Sequence, residues 1–346
     1  MSKWKYVEYS LYNSKDTFYN LRKLFSFNLP IMMVIGARGM GKTFAVKQFC
    51  LSEYLNDNSR IFGWVRETDD ALEQLLENNG RKFKEDIPLM KIKELQKLDI
   101  KGRTCVINNK IAGDFLSASL YQKYKGSTFQ KTYNIVIDEF IPEKTTIKKI
   151  TPIAIFNTMS TIARTRDKGR IFMLANSIDR GDPFLDAIGV ELGDFGLYIN
   201  RDAGVVLHYA DNSAKFNQLN SQGIVGKLLL NCKNMYYAEN MMFGKFNDDV
   251  SLIFESMPSK CKLLLILETP LQKARFYQGE GKLWVTPDVD PNTYWNKRYV
   301  VNLEDASAFK PVLPLDIKKK LKLHLQNNNV RYQSNFLKKF ITNAIK

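Results

Sequence analysis

The chain has 346 residues, of which 45% are apolar, so it is long and apolar enough to form two folded domains without extended disordered regions. Four cysteines without a C-x-x-C pair and only two histidines argue against a zinc cluster, and no apolar run has the length of a membrane span, so we expect an intracellular soluble protein. Lys and Arg total 51 against 36 Asp and Glu, and the net charge of +15 favours a polyanionic partner such as nucleic acid, with a merely soluble basic surface as the alternative.

The first 205 residues predict strands that alternate with helices. A polar and aromatic arm or helix over 1–30 comes first. Predicted strands follow at 31–35, 60–68, 133–140 and 170–177, with helices at 42–54, 69–83 and 150–163 and a hairpin at 104–120. This alternation is typical of a parallel sheet with crossovers, so the predicted fold class of 1–205 is a doubly wound α/β domain.

The alternation weakens beyond residue 205. Residues 206–248 are predicted as a helical linker, because their first part is polar and rich in Asn, Gln and Ser. Strands followed by a basic helical tail over 317–345 predict a second, smaller α+β domain at 249–346.

The sequence GARGMGKT, at 36–43, matches the phosphate-binding pattern G-x-x-x-x-G-K-[ST] between a predicted strand and a predicted helix. Backbone N–H groups of such a loop, together with the positive end of the helix, bind phosphate oxygens. We predict that Lys42 contacts the β- and γ-phosphates of ATP and that Thr43 ligates Mg²⁺. The predicted nucleotide-binding residues are Gly36, Ala37, Arg38, Gly39, Met40, Gly41, Lys42 and Thr43. A glycine-rich structural turn is the alternative.

Two acids end the predicted strand at 133–140. We predict that Asp138 holds the hydration shell of Mg²⁺ and that Glu139 polarises the attacking water. The alternative is a helix N-cap followed by a solvent-facing acid. Between Lys42 and Asp138 there is room for an extra central strand, which the strand at 60–68 fills. An added strand and a catalytic Glu indicate a P-loop ATPase of the additional-strand class, and the lack of an N-K-x-D motif disfavours a GTPase.

Two further side chains are candidates for the hydrolysis step. Arg164 lies between a helix and a strand, where a ring ATPase presents an arginine to the γ-phosphate of its neighbour. The alternative for Arg164 is a solvated basic turn. Asn176 ends the following strand and is predicted to sense the γ-phosphate or the water, with a turn cap as an equal alternative.

Lysines near the acidic strand are candidates for gripping DNA. A translocase contacts the phosphate backbone without reading sequence, so basic side chains on loops are expected. The predicted DNA or interface residues are Lys123, Lys125, Lys131 and Lys144. Solvated surface lysines are the alternative.

The stretches VIGARGMGKT, WVRE, YQKYKGSTFQKTYNIVIDEFIPEK and ARTRDKGRIFMLANS occur in this order along the chain. Together they resemble the DNA-encapsidation ATPases of small tailed phages, the φ29-type genome-packaging motors. The resemblance implies a terminase-like ATPase that uses ATP and Mg²⁺ and forms a homopentameric ring at the portal, or connector, of a procapsid in the host cytoplasm. The implied partners are double-stranded DNA, the portal and, where the phage has one, a packaging RNA, with no membrane.

The resemblance also implies roles for single residues. Arg164 matches an arginine that acts in trans on the ATP of the neighbouring subunit. Lys125 matches a lysine that faces the subunit interface or the pore. Arg38 is shared with the family and contacts either the γ-phosphate or a neighbouring carboxylate. Arg66 is a further candidate for the nucleotide pocket. Lys42, Thr43, Asp138 and Glu139 match the phosphate, magnesium and catalytic positions.

For the second domain the resemblance implies an RNase H-like fold that is a vestigial nuclease. Its acids Glu268, Asp288 and Asp290 form no clear metal-binding triad in the sequence, so we predict no DNA cleavage. Two other functions stay open at this point: a different additional-strand DNA-remodelling ATPase, similar to a helicase loader, and a nucleic-acid-binding protein that does not hydrolyse ATP.

Overall fold

The computed structural model describes residues 3–8, 16–124, 129, 131–141, 150–164, 168–177, 180–232, 241–246, 250–269, 272–290 and 293–345. The chain divides into two compact units. Unit 1 comprises Met1–Asp179 and Leu192–Asn247, and unit 2 comprises Arg180–Glu191 and Asp248–Lys346. Within the described ranges, no helix combines the length and apolar character that crossing a bilayer requires.

Unit 1 is built on a ten-stranded sheet with the order β1-β9-β10-β2-β8-β7-β3-β6-β5-β4. The strands are β1 Lys5–Val7, β2 Ile31–Gly36, β3 Ile61–Arg66, β4 Leu98–Lys101, β5 Thr104–Ile107, β6 Lys110–Ser117, β7 Thr132–Asp138, β8 Arg170–Asn176, β9 Gly196–Asn200 and β10 Val205–Ala210. From β10 to β6 all neighbours pair in parallel, and the two edges are antiparallel. The central strands are buried along nearly their whole length, as expected for a parallel sheet covered on both faces. The predicted doubly wound α/β fold is confirmed.

Helices occupy most of the predicted positions. The helices are α1 Lys42–Asn56, α2 Asp69–Lys84, α3 Ile150–Ala163, α4 Pro183–Ala187, α5 Ala214–Gln222, α6 Ile224–Leu230, α7 Leu315–Gln326 and α8 Asn335–Ile345, of which α4, α7 and α8 belong to unit 2. The α2 helix begins where the Thr68 side chain accepts a hydrogen bond from the Ala71 N–H at 3.2 Å. Where the sequence predicts an arm or helix over 1–30, the described residues form the short strand β1 and a 3₁₀ helix, Leu21–Phe27.

The predicted hairpin at 104–120 is confirmed as β5 and β6. Asn108 and Asn109 both have positive φ, at 51° and 60°. Such a pair of left-handed residues forms the tight turn whose twist matches that of the two strands, and Asn is one of the few residues that adopt this conformation at low cost.

The predicted extra central strand is wrong in its position. The strand between β2 and β7 is β8, whereas β3, formed by the segment at 60–68, lies on the other side of β7. The additional-strand arrangement is therefore present with a different strand. Each of these segments is a buried apolar run. The order of the strands in the sheet depends on the direction of each crossover connection, and the apolar runs do not encode that direction.

The predicted linker at 206–248 begins too early. Residues 206–210 belong to β10, which is fully buried and pairs in parallel with β2 along its whole length. The alternation weakens here because β9 and β10 form an antiparallel pair without an intervening helix. The helical character predicted for this region is found in α5 and α6.

Unit 2 contains a five-stranded sheet with the order β14-β11-β12-β13-β15. Its strands are β11 Lys262–Glu268, β12 Lys273–Gly279, β13 Lys282–Pro287, β14 Arg298–Val300 and β15 Val330–Tyr332. Three antiparallel strands are followed by β14, which pairs in parallel with β11, while β15 pairs in parallel with β13 at the opposite edge. The predicted single helical tail is two helices with β15 between them.

Candidate nucleotide-binding site

The loop between β2 and α1 has the backbone that the phosphate pattern requires. Gly39 and Gly41 have φ angles of 75° and 95°, which residues other than glycine rarely adopt. At Gly36, a Cβ atom would lie 2.5 Å from the sulfur of Met40. The three glycines therefore allow the loop to turn tightly into the amino end of α1, where its N–H groups face a common space.

This loop forms one wall of a cavity of about 400 Å³. The carboxyl ends of β7 and β8 form the opposite wall, as expected for a ligand site in an open parallel sheet. Residues that line the cavity are Arg38, Gly39, Gly41, Lys42, Thr43, Phe44, Asp138, Glu139, Leu174, Ala175 and Asn176. The fold thus brings together six of the side chains that the sequence predicted for binding and hydrolysis: Arg38, Lys42, Thr43, Asp138, Glu139 and Asn176.

Lys42 is buried at the base of the cavity. Its ammonium donates to the carbonyl oxygens of Gly36 at 3.0 Å and Ala37 at 2.7 Å, and to the Asn176 amide oxygen at 3.2 Å. Burial lowers the pKa of Lys42 to about 7, and the nearby carboxylates Asp138 and Glu139 oppose that shift. A polyanion in the cavity would therefore favour the charged form of Lys42 and compete with the carbonyls for its protons.

Asp138, the last residue of β7, has carboxylate oxygens of the kind that bind Mg²⁺. One of its carboxylate oxygens accepts from the Thr43 hydroxyl at 3.4 Å, and the other accepts from Arg66 at 3.0 Å. Burial raises the pKa of Asp138, and the Arg66 guanidinium counteracts this shift. A hydroxyl and a carboxylate side by side are ligands that Mg²⁺ accepts together with phosphate oxygens and water, so this donor set fits the predicted metal.

Glu139 lies where the chain leaves β7. Its φ of 61° is unusual for a residue other than glycine, and the Phe140 N–H that follows donates to the Leu174 carbonyl at 3.0 Å. The bend places the carboxylate at the cavity with 41% of the side chain exposed. Non-glycine residues in this conformation are concentrated at functional sites, where the surrounding structure enforces the strain.

Arg66, predicted as part of the nucleotide pocket, contacts the acids. It ends β3, in register with Asp138, and pairs with both the Asp138 and the Glu139 carboxylates. No sequence pattern predicts this pairing, because it depends on β3 and β7 being neighbours.

Arg164 lies at the end of α3, outside the set of cavity-lining residues. Its backbone is left-handed with φ of 47°, and its N–H donates to the Ser160 carbonyl at 2.8 Å. The guanidinium is exposed, and its Nε atom donates to the Thr161 carbonyl at 3.3 Å. Within one subunit, Arg164 is therefore a helix-end residue.

The predicted DNA or interface lysines are only partly described. Lys123 is exposed in the 3₁₀ helix Ala118–Tyr124, and Lys131 is exposed immediately before β7. Lys125 and Lys144 lie outside the described residues.

Two segments that sequence reasoning missed support the phosphate loop. The Tyr19 N–H donates to the Met40 carbonyl at 2.8 Å, and the Tyr19 hydroxyl is 3.0 Å from Nδ1 of the buried His208. Burial lowers the pKa of His208 to about 3, so this histidine is a neutral structural partner. On the other side, Gly244 packs against Ala37.

Comparisons with known proteins identify the family of this chain. A family model described as Podovirus DNA encapsidation protein (Gp16) matches residues 13–322. The DNA packaging proteins of Bacillus phages phi29 and PZA are each 30% identical over 172 residues, 49% of this chain and 49% of the relative. The match thus spans about half the length of these curated relatives. The DNA packaging protein of Bacillus phage B103 is 24% identical over 274 residues, 78% of this chain and 81% of that protein.

Among solved structures, a chain of the bacteriophage Phi-29 viral genome packaging motor assembly has a TM-score of 0.66 at 20% identity, with 96% of this chain and 100% of that chain covered. At this identity the likeness concerns the fold. The family model, by contrast, covers most of the sequence, including the phosphate loop and both acids. The chain therefore belongs to the Podovirus DNA encapsidation protein (Gp16) family.

Proposed function

We propose that this protein is an ATP-driven translocase that packages double-stranded viral DNA into a procapsid through the portal. The observation that carries the proposal is the single cavity lined by the phosphate loop, Asp138, Glu139 and Asn176. Family membership supports the choice of cargo, since the relatives are DNA packaging proteins.

In the proposed reaction, the loop N–H groups and Lys42 bind the triphosphate of ATP. Thr43 and Asp138 would hold Mg²⁺, which would supply positive charge against the phosphates. Glu139 orients the attacking water and accepts its proton, and Asn176 is placed to hold the water or the γ-phosphate through its amide. Arg38 already lines the cavity, and we propose that a further cation, from another subunit, stabilises the charge of the transition state.

We assign that cation to Arg164 of a neighbouring subunit in a ring. Arg164 is an exposed residue at the end of α3 and does not line the cavity of its own subunit, as expected for a residue that acts on a neighbour. A homopentamer is the proposed assembly, and the portal, with a packaging RNA where the phage has one, is its proposed attachment point.

For DNA, we propose contacts from the lysines around the acidic strand. Lys123 is exposed in the 3₁₀ helix Ala118–Tyr124 and Lys131 is exposed immediately before β7, so both side chains are accessible to backbone phosphates. Lys125 and Lys144 belong to the same proposal. Contacts of this kind predict DNA binding without sequence preference. They also predict that the affinity for DNA falls steeply as the salt concentration rises.

Unit 2 is proposed to have no nuclease activity, because two of its predicted acids, Glu268 and Asp288, already pair with protein cations. The Arg298 guanidinium, whose side chain is fully buried, pairs with both Glu268 and Asp288. Lys310 donates to the remaining Glu268 oxygen at 2.7 Å, and Arg275 to the remaining Asp288 oxygen at 2.6 Å. Each of these four carboxylate oxygens thus has a cationic donor, supplied by three side chains, and within the described part of the chain no cluster of His, Cys, Asp or Glu suits a metal ion. This donor set does not fit the metal-dependent nuclease of the larger terminases.

The decisive experiment measures ATP hydrolysis and DNA uptake with procapsids that carry their portal. We expect hydrolysis to be weak for the isolated protein and to rise when duplex DNA and procapsids are both present. Linear duplex incubated with the protein and Mn²⁺ should stay full length. Stronger stimulation by single-stranded than by duplex DNA would favour a helicase-loader-like ATPase instead, and fragmented duplex would contradict the absence of a nuclease.

A mixing experiment tests the role of Arg164. Arg164→Ala should bind Mg·ATP normally but hydrolyse it about 10²-fold more slowly, since one transition-state donor is lost. Mixed with Glu139→Gln subunits, it should regain part of the activity, because a subunit with intact Glu139 then receives Arg164 from its neighbour. Activity that never exceeds that of the separate variants, in rings of verified composition, would contradict the trans role.

A further inference from the structure

A short segment of unit 1 packs directly on the phosphate loop. We call residues 241–246 the strap. Met242, Gly244 and Phe246 alternate with more exposed residues and are buried, so the strap turns one side toward the protein. The strap ends close to Asp248, where the chain enters unit 2.

The strap contacts the phosphate loop through the backbone of Gly244, which has no side chain. A Cβ atom at Gly244 would lie 2.5 Å from the Ala37 nitrogen and 3.0 Å from the Ala37 Cα. Real side chains essentially never approach a backbone atom so closely, and Gly244 also has a left-handed φ of 67°. Only glycine therefore fits between the strap and the phosphate loop without displacing one of them.

The strap is held in this position by β10, the strand beside β2. The Tyr209 hydroxyl donates to the Gly244 carbonyl at 3.1 Å and accepts from the Phe246 N–H at 3.0 Å. The Asn212 amide donates to the Met242 carbonyl at 2.6 Å. Since β10 pairs with β2 up to Gly36, strap and phosphate loop are fixed to adjacent strands of the same sheet.

Ala37, which Gly244 contacts, also binds Lys42. The Ala37 carbonyl accepts the shortest of the three hydrogen bonds from Lys42, at 2.7 Å. A triphosphate competes for the same ammonium protons, so its binding must weaken the hold of Lys42 on Ala37. The Ala37 residue is thus held by the strap on one side and by the catalytic lysine on the other.

We propose that Gly244 is a positioning residue of the nucleotide site: its lack of a side chain lets the strap support Ala37, so that nucleotide binding and strap packing are linked. The inference rests on the proposed binding of a triphosphate at 36–43. Linkage is reciprocal, so a change that displaces the strap must weaken nucleotide binding, and nucleotide must alter the strap.

The test compares Gly244→Ala with Gly102→Ala. Gly102 has a left-handed φ of 58° in the same unit, but no described atom lies within 4 Å of where its Cβ would be, so its substitution brings backbone strain without a collision. For Mg·ATPγS we expect Gly244→Ala to raise the Kd by about tenfold and Gly102→Ala by less than about twofold. In steady-state hydrolysis, Gly244→Ala should raise KM more than it lowers kcat, because Glu139 and Asn176 are untouched.

Two further measurements keep the inference open to contradiction. Tyr209→Phe removes both hydroxyl contacts to the strap without touching the loop, and it should raise the Kd even if Gly244→Ala fails to fold. In the unaltered protein, saturating Mg·ATPγS should change hydrogen exchange of the strap amides. The inference is overturned if folded Gly244→Ala or Tyr209→Phe has a normal Kd for Mg·ATPγS. It is also overturned if hydrogen exchange of the strap amides does not change when nucleotide binds. Neither result contradicts the proposed function. Loss of the proposed function itself is recognised separately, because the unaltered protein would then bind no more nucleotide than Lys42→Ala.

Discussion

Glu139→Gln should bind Mg·ATP with an affinity close to that of the unaltered protein and hydrolyse it about 10³-fold more slowly, as expected for removal of a general base. The amide keeps the size of the carboxylate and can still accept the hydrogen bond from Arg66, so the strained backbone at φ 61° should survive. What the amide lacks is a basic oxygen that takes the proton of the attacking water. Binding and chemistry should therefore separate cleanly in this variant.

Single-turnover hydrolysis and equilibrium nucleotide binding, measured on the same preparation, check this result. Glu85→Gln, an exposed acid just after α2, provides the matched control and should change neither quantity. DNA uptake into procapsids should stop with Glu139→Gln, since translocation depends on hydrolysis. Unchanged turnover would mean that another group activates the water, and tight nucleotide binding without any turnover in the unaltered protein would indicate a binding protein with a relic site.

The parts of this site that the sequence predicted are those set by local chemistry. The phosphate loop needs its glycines and Lys42 within eight consecutive residues, and Asp138 and Glu139 adjoin each other at a strand end, so short patterns reveal them. The parts that it did not predict depend on which strands become neighbours. Arg66 reaches the acids because β3 pairs with β7, and β8 separates β2 from β7, although all these segments have the same apolar character.

Unit 2 illustrates the same distinction. The sequence shows Glu268 and Asp288 as acids without a metal-binding pattern, but it does not reveal the cation between them, because Arg298 is 30 residues from Glu268 along the chain. Arginine is rarely fully buried, and nothing in its local sequence separates this residue from the many exposed basic residues. Strand order brings the end of β11, the start of β14 and the residue after β13 together.

Arg298→Met should destabilise unit 2 by about 3 kcal/mol or more, because it leaves two buried carboxylates without their shared partner. Glu268 and Asp288 have side-chain exposures of 6% and 0%, so water cannot replace the guanidinium. Methionine has a similar length and preserves most of the packing, which confines the change to the charge and its hydrogen bonds. Lys319→Met, an exposed substitution on α7, is the control and should change the free energy of unfolding by less than about 0.5 kcal/mol.

The pH dependence of unfolding distinguishes lost ion pairs from lost packing. Burial by itself raises the pKa of Glu268 and of Asp288, but hydrogen bonds from Lys310 and Arg298 to Glu268, and from Arg298 and Arg275 to Asp288, outweigh it, so both pKa values are lowered in the folded state. Groups with lowered pKa stabilise the fold above their unfolded pKa, about 4, and that stabilisation is lost as the pH falls through the folded values.

The free energy of unfolding of unit 2, measured with denaturant, should thus fall on acidification in the unaltered protein and fall less in Arg298→Met. Adding Glu268→Gln and Asp288→Asn to Arg298→Met should recover much of the loss, since both buried negative charges are then removed with the guanidinium, while the amide oxygens still accept from Lys310 and Arg275. If the triple variant is as unstable as Arg298→Met alone, the carboxylates are not the source of the cost, and the ion-pair account of unit 2 is wrong.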